Sequence, residues 1–181
     1  MKKLAIVASL VAAFGSIGMA QAASTGTITF EGELTATTCD VIVDGQTADA
    51  KVVLPTVSIN QLAGPAQTAG RTGFNMALSN CSGALETASA FFEAGTSVDL
   101  VTGRLKNMNG TAENVSLQLR DESSANETVI KAGSQSQILG TTYKDITSGS
   151  ANLPYAVEYY AEDATLAGTV RSNVVYSIQY Q

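Results

Sequence analysis

From Gly168 to Gln181 the residues alternate with a period of two. Gly168, Val170, Ser172, Val174, Tyr176, Ile178 and Tyr180 share one register, and Thr169, Arg171, Asn173, Val175, Ser177, Gln179 and Gln181 the other. That period belongs to a β-strand whose two faces meet different surroundings. The first register is mostly apolar and the second mostly polar, so one face requires a hydrophobic partner. No later sequence follows to cover the strand's edge. A regular amphipathic strand with an open edge is a pairing hazard unless the protein uses it, and the free edge is therefore the first candidate for function.

The opposite end carries an export signal. Lys2 and Lys3 form a basic start, Leu4 to Phe14 an apolar run, and Ala20-Gln21-Ala22 a small-residue cleavage site. Residues 1–22 are expected to be removed, and the apolar run is too short to span a bilayer, which needs about 20 residues. Loss of the two lysines leaves eight basic against sixteen acidic side chains. An acidic surface disfavours nucleic acid as a partner. The remaining length of roughly 160 residues suits one domain with a real core. Two cysteines, Cys39 and Cys81, fall in the exported part and are expected to pair in an oxidising compartment.

Strand signals dominate the chain between. Gly26, Ile28, Phe30, Gly32 and Leu34 alternate with Thr25, Thr27, Thr29, Glu31 and Glu33, giving a second amphipathic strand pattern. Cys39–Val43 and Lys51–Leu54 read as short strands around a turn at Asp44-Gly45-Gln46. Phe74, Met76 and Leu78 alternate towards Cys81, so the disulfide is expected to tie neighbouring strands. Ala88 to Phe92 and Ser97 to Val101 each fit a strand, while Leu85 to Phe92 also fits a turn of helix. Val115, Leu117 and Leu119 alternate, Asp121 to Asn126 reads as a polar turn, and Val129-Ile130 as a short apolar piece. Leu153, Tyr155, Val157 and Tyr159 share a face, with Pro154 at the strand entry. Residues 162–165 read as a turn leading into the terminal strand. Short strands, frequent turns and one staple point to an all-β antiparallel sandwich of immunoglobulin type.

Catalysis finds no support in the composition. The chain has no histidine, which removes Ser-His-Asp and Cys-His arrangements and histidine-based metal sites. The adjacent carboxylates Asp121-Glu122 and Glu162-Asp163 fall in expected turns, as solvated charges. No glycine-rich phosphate loop is present, so no cofactor is implied.

Read together, the two ends resemble the structural subunits of chaperone–usher fimbriae, close to the major pilins of type 1 and F17-like fibres. The resemblance is carried by GTITFEGELTATTC ending at Cys39, by FNMALSNC ending at Cys81, by NVSLQLRD and LPYAVEYYA, and by the terminal VVYSIQYQ. Gly168 stands fourteenth from the end and Tyr180 is penultimate, as in that family. The resemblance implies an incomplete immunoglobulin-like sandwich lacking its final strand. Its groove is covered first by a periplasmic chaperone and then, at an outer-membrane usher, by the N-terminal extension of the next subunit. It assigns residues 23–31 as the donor extension, with Gly26, Ile28 and Phe30 entering a neighbouring groove, and 32–181 as the pilin domain. Gly168, Val170, Val174, Tyr176, Ile178 and Tyr180 become the acceptor and chaperone-binding strand. It also implies a homopolymeric surface fibre that supports adhesion of the cell. The alternative reading is a minor or tip subunit that binds a host glycan; receptor binding incidental to a major pilin would instead use the loops at Asn107 to Glu113 and Asp121 to Glu127.

Overall fold

The computed structural model describes residues 26–181; the expected leader of residues 1–22, and residues 23–25 of the extension, lie outside them. Contacts divide the chain between Glu33 and Leu34. In the first unit, residues 26–33 form no strand, and Ile28 and Phe30 are 77% and 88% exposed. Their alternation is a strand pattern without a strand.

The second unit is an antiparallel sandwich. Its strands are β1 (Thr38–Val43), β2 (Thr68–Ser82), β3 (Thr87–Phe92), β4 (Leu105–Lys106), β5 (Glu113–Asp121), β6 (Thr128–Ile130), β7 (Lys144–Asp145), β8 (Ala151–Leu166) and β9 (Tyr176–Tyr180). The larger sheet runs β1-β2-β8-β5-β4, with β6 also on β5, and the smaller runs β7-β3-β9. A one-turn helix, α1 (Gln137–Gly140), stands between β6 and β7. The ambiguous 85–92 segment is strand β3, whereas 97–101 contributes only an isolated bridge from Val98 to Leu105.

Inward residues of both sheets build the core. Met76 and Leu78 of β2, Leu117 and Leu119 of β5, and Leu153, Tyr155 and Val157 of β8 meet Ala88, Ala90 and Phe92 of β3. Tyr155 joins the layers. Its ring packs edge-on against Phe92, with centroids 5.2 Å apart, and its hydroxyl accepts a hydrogen bond of 3.0 Å from the Ala90 N–H. Burial pushes the Tyr155 phenol above its ordinary pKa, so it stays protonated. The Cys39–Cys81 disulfide links the adjacent strands β1 and β2 across a separation of 42 residues, a loop for which chain entropy predicts about 4 kcal/mol of stabilisation.

One expected turn and one expected solvated charge are corrected, while 122–126 is the turn expected there. Glu162 and Asp163 lie within β8, which continues to Leu166. Asp121, expected in solvent, is 1% exposed, because its carboxylate accepts from the main-chain N–H groups of Ser123 and Thr142. On the outer face of the large sheet, Glu158 is 2% exposed yet takes hydrogen bonds from Arg120, Gln118 and Arg71. Glu162 receives a bidentate pair from Arg104, whose guanidinium also lies 3.9 Å above the Tyr160 ring.

Two predictions follow from this packing. Tyr155→Phe strands the buried Ala90 N–H, and urea unfolding of the variant should show a loss of about 1–3 kcal/mol with the slope unchanged. Burial opposes ionisation of Glu158, but the donors from Arg120, Gln118 and Arg71 outweigh it and hold the carboxyl below the usual carboxylate range. The stability it contributes is therefore complete above the unfolded pKa and is lost as pH falls through the lower folded one. Glu158→Gln should flatten that acid decline in unfolding midpoints measured from neutral pH downward, while an unchanged slope against pH would remove Glu158 as its source.

Candidate functional site: an open strand edge and its groove

The small sheet closes one of its edges and leaves the other open. On the β7 side, where β7 reaches only Thr87 and Ala88, side chains replace a missing strand. Tyr155 takes the Ala90 N–H, and the Gln137 amide both accepts from the Phe92 N–H at 2.9 Å and donates to the Phe92 carbonyl at 3.0 Å. On the other side of β3 lies β9, with Phe92 opposite Tyr176 and Ala88 opposite Tyr180. Beyond β9 the sheet has no further strand among the described residues.

Main-chain geometry shows which groups are left over. Gln181 and Thr87 exchange both of their hydrogen bonds, and Val175 accepts from Glu93 N–H. In an antiparallel ladder, bonded and non-bonded pairs alternate. Gln179 and Ser177 are therefore the bonded residues of β9, while Tyr176, Ile178 and Tyr180 aim their N–H and C=O groups at the open edge. The same odd-numbered set continues upstream without regular strand. Arg171 accepts from Met108 N–H at 2.9 Å, and Thr169 accepts from Ala112 N–H at 3.0 Å. The Asn107 side chain acts as a peptide surrogate, accepting from Arg171 N–H at 2.9 Å and donating to the Thr169 carbonyl at 3.1 Å. Thr111 and Thr169 bond each other's backbone N–H through their hydroxyls. The expected continuous strand is thus a regular strand over Tyr176–Tyr180 preceded by an extended arm. The arm is clasped by loop 107–112, which lacks the repeating backbone pattern that β3 provides.

Gly168 belongs to this clasp. A Cβ there would collide with the backbone of Thr111 and Ala112, and one at Gly110 would meet the Thr169 carbonyl and the Asn107 amide. Loop 107–113, considered above as a receptor loop, holds the terminal arm. In the other such loop, Asp121 is buried and Glu127 pairs with Arg71.

Side chains of the even-numbered set face a groove. Val170, Val174, Tyr176, Ile178 and Tyr180 pack against the core while remaining only partly buried. The facing wall is 50–57, where Lys51–Leu54 was expected to be a strand. It pairs with nothing, yet its burial alternates, with Val52, Leu54 and Val57 inward. Neither the spacing nor the composition of 50–57 identified it as a wall. Its alternation reads instead as a strand joined to Cys39–Val43 by the turn at Asp44-Gly45-Gln46.

Between the walls lie two openings. One, of about 420 Å³, has Val57, Ile59 and Leu62 on one side and 166–171 on the other. The second, of about 280 Å³, descends between Val52, Leu54 and 172–176 to Leu117 and Leu119 of the core. Nearer the C-terminus the walls are tied together. Tyr176 donates its hydroxyl to the Ala48 carbonyl at 2.8 Å, and Tyr180 accepts from the Cys39 N–H at 3.0 Å. Burial, aided by Asp49, raises the Tyr176 phenol pKa. Within the groove the Ser172 hydroxyl is buried without a partner among the described residues.

Among the described residues there is no cluster of metal-ligating side chains and no helix long and apolar enough to cross a membrane. Gly26, Ile28 and Phe30 lie in the separate first unit, where Gly26 has open space around it.

Comparison with known proteins accords with this architecture. Residues 54–181 match the family model described as Type-1 fimbrial protein, A. The chain is 40% identical over 165 residues to the major fimbrial subunit SMF-1 of Stenotrophomonas maltophilia, covering 90% of this chain and 96% of that one. It is 33% identical to the F17 fimbrial protein of Escherichia coli, over the full length of both. In structure it is similar to the P pilus rod subunit PapA, with a TM-score of 0.60 and 14% identity over 79% of this chain and 99% of the other, a likeness of fold. An immunoglobulin-like sandwich with these relatives belongs to the type-1 fimbrial protein family: the chain is an exported structural subunit of a surface fimbria and not an enzyme.

Proposed function

We propose that the chain polymerises by strand addition, the open edge of β9 and its upstream arm accepting the N-terminal segment of a second copy. The observation that carries this reading is the alternation of main-chain bonding from Thr169 to Gln181, which leaves the even-numbered groups aimed outward above an apolar groove. An incoming extended segment satisfies those groups and lays alternate side chains into the groove, the mode known as β-strand addition, of which pilin complementation is a standard instance. Residues 26–34 have the matching chemistry: an unpaired period-two pattern whose Ile28, Phe30 and Leu34 are exposed. Burying Ile28 and Phe30 contributes roughly 1.5–3 kcal/mol each. Before polymerisation the same edge needs a temporary cover, which assigns it to a periplasmic chaperone's strand, with delivery at an outer-membrane usher. The assembled fibre then supports adhesion of the cell. Relatives named major fimbrial subunits favour the rod over the tip position.

The groove favours one orientation and register. Large side chains belong over the two openings at 166–176, and small ones where Tyr176 and Tyr180 tie the walls together. An antiparallel donor comes nearest to this with Gly26 opposite Ile178, Ile28 opposite Tyr176 at the lip of the second opening, Phe30 opposite Val174, Gly32 opposite Ser172 and Leu34 opposite Val170. Sliding Phe30 onto Ser172 would press its ring over an unpartnered hydroxyl, which is unfavourable, whereas glycine admits main chain there.

Removal of residues 23–31 from the mature chain should preserve capture by the chaperone and abolish self-polymerisation, scored by fibre formation in electron micrographs; fibres formed without 23–31 would exclude it as donor. For the register, Phe30→Cys combined with Val174→Cys should give an intermolecular ladder on non-reducing gels, since bonded antiparallel pairs and disulfides share Cα separations near 5.5 Å. Stronger ladders from Phe30→Cys with Ser172→Cys would replace this register with the neighbouring one.

A further inference from the structure

We infer that Asn109 is a site of slow self-modification by deamidation, and that its conversion to isoaspartate loosens the clasp on the terminal arm. Asn109 precedes Gly110, and glycine is required at 110 because the Thr169 carbonyl and the Asn107 amide occupy the space of a Cβ. Close docking of the arm thus fixes glycine as the residue that follows Asn109. With no side chain at 110, nothing shields the main-chain nitrogen that follows Asn109. Asn109 is exposed, and neither its amide nor the Gly110 N–H has a hydrogen-bond partner among the described residues. The Asp44-Gly45 pair differs on this point. Its Asp44 carboxylate is held by the Asn75 N–H at 2.8 Å, and Asp44 N–H donates to the Asn75 carbonyl.

The chemistry needs only water. The Gly110 nitrogen attacks Asn109 Cγ, forming a C–N bond and a five-membered succinimide. The Cγ–Nδ2 bond breaks, and the amide nitrogen leaves as ammonia with the proton from Gly110. Water then opens the ring. Opening at the side-chain carbonyl gives aspartate; opening at the main-chain carbonyl gives isoaspartate, in which the backbone runs through Cβ and gains one carbon.

That added carbon falls between two donors that hold the arm, Met108 N–H on the Arg171 carbonyl and Ala112 N–H on the Thr169 carbonyl. Lengthening the chain between them breaks their common spacing, so the arm from Gly168 to Arg171 is released first, while β9 keeps its own bonds to β3. The modification stands independently of strand addition; its effect on subunit capture rests on the acceptor role proposed above.

The test uses the purified full-length mature chain, incubated at mildly alkaline pH and mapped by peptide mass spectrometry. A gain of one mass unit, with enzymatic methyl acceptance diagnostic of isoaspartate, is expected at Asn109 at least about tenfold faster than at Asn152 or Asn173, a barrier difference of about 1.4 kcal/mol. Asp44 should show no methyl acceptance, and Asn109→Ser should abolish the signal. Hydrogen exchange at 168–171 should rise in proportion to the isoaspartate fraction. Equal rates at the three asparagines would overturn the site. Modification at Asn109 with unchanged exchange at 168–171 would overturn the coupling, and loosening of the arm without loss of donor binding would separate it from the acceptor reading.

Discussion

Everything distinctive in this sandwich depends on which main-chain groups of its last strand have partners. The odd-numbered residues from Thr169 to Gln181 are bonded by β3 and the Glu93 N–H that follows it, by the Ser97 hydroxyl at the Asn173 carbonyl, and by loop 107–112. The even-numbered ones face outward, where no strand of the small sheet lies among the described residues. Buried or half-buried peptide groups without partners are costly, so proteins ordinarily close such edges. This one does so on the other side of the same sheet, where Tyr155 and Gln137 stand in for strand partners of Ala90 and Phe92. A fold that seals one edge with specific side chains and leaves its neighbour open treats the two differently.

An open groove threatens to collapse, and the structure resists this by tying its walls at one end. Tyr176 reaches the Ala48 carbonyl and Tyr180 the Cys39 N–H. The disulfide fixes Cys39 against β2, so the Tyr180 tie is anchored to a covalently pinned strand. At the Gly168 end the arm is held from the opposite side by Asn107 and the Thr111–Thr169 pair. The groove is therefore braced at its closed end and clasped at its open end. The unpaired Ser172 hydroxyl lies between these two supports.

Much of this was legible in residue order. The alternation of Val170, Val174, Tyr176, Ile178 and Tyr180 located the groove-facing register, because period two is a local property that survives whether or not a strand's partner is regular. The Cys39–Cys81 pairing followed from compartment and count. What the order of residues concealed was non-local. Residues 51–54 read as a strand because they alternate, but they have only side-chain company and no ladder, a distinction that lies in the partner's position. Asp121 read as a solvated turn charge because its two N–H partners, one of them at Thr142, cannot be seen from its neighbours. Glu162 likewise looked like a turn residue, since the Arg104 that draws it into β8 is 58 positions away. Gly168 was marked by its place in a family pattern, but its physical role, contact with the backbone of Thr111 and Ala112, emerged only when the loop was in place.

In the strand-addition reading proposed above, donor and acceptor lie on different parts of one chain, and that placement would determine the kind of assembly they can make. A contact in which two copies present the same patch closes as a dimer, whereas one joining unlike patches propagates unless rotation brings it back on itself. Residues 26–34 and the groove along 168–180 are unlike patches, one an extended amphipathic segment and the other an edge with a trough. Each added copy satisfies one edge and presents another. A single amphipathic strand is not stable alone in water, so under the proposed strand addition the exposed pattern of Ile28 and Phe30 would become ordered on entering a neighbour. Folding of the segment and growth of the fibre would then be the same event.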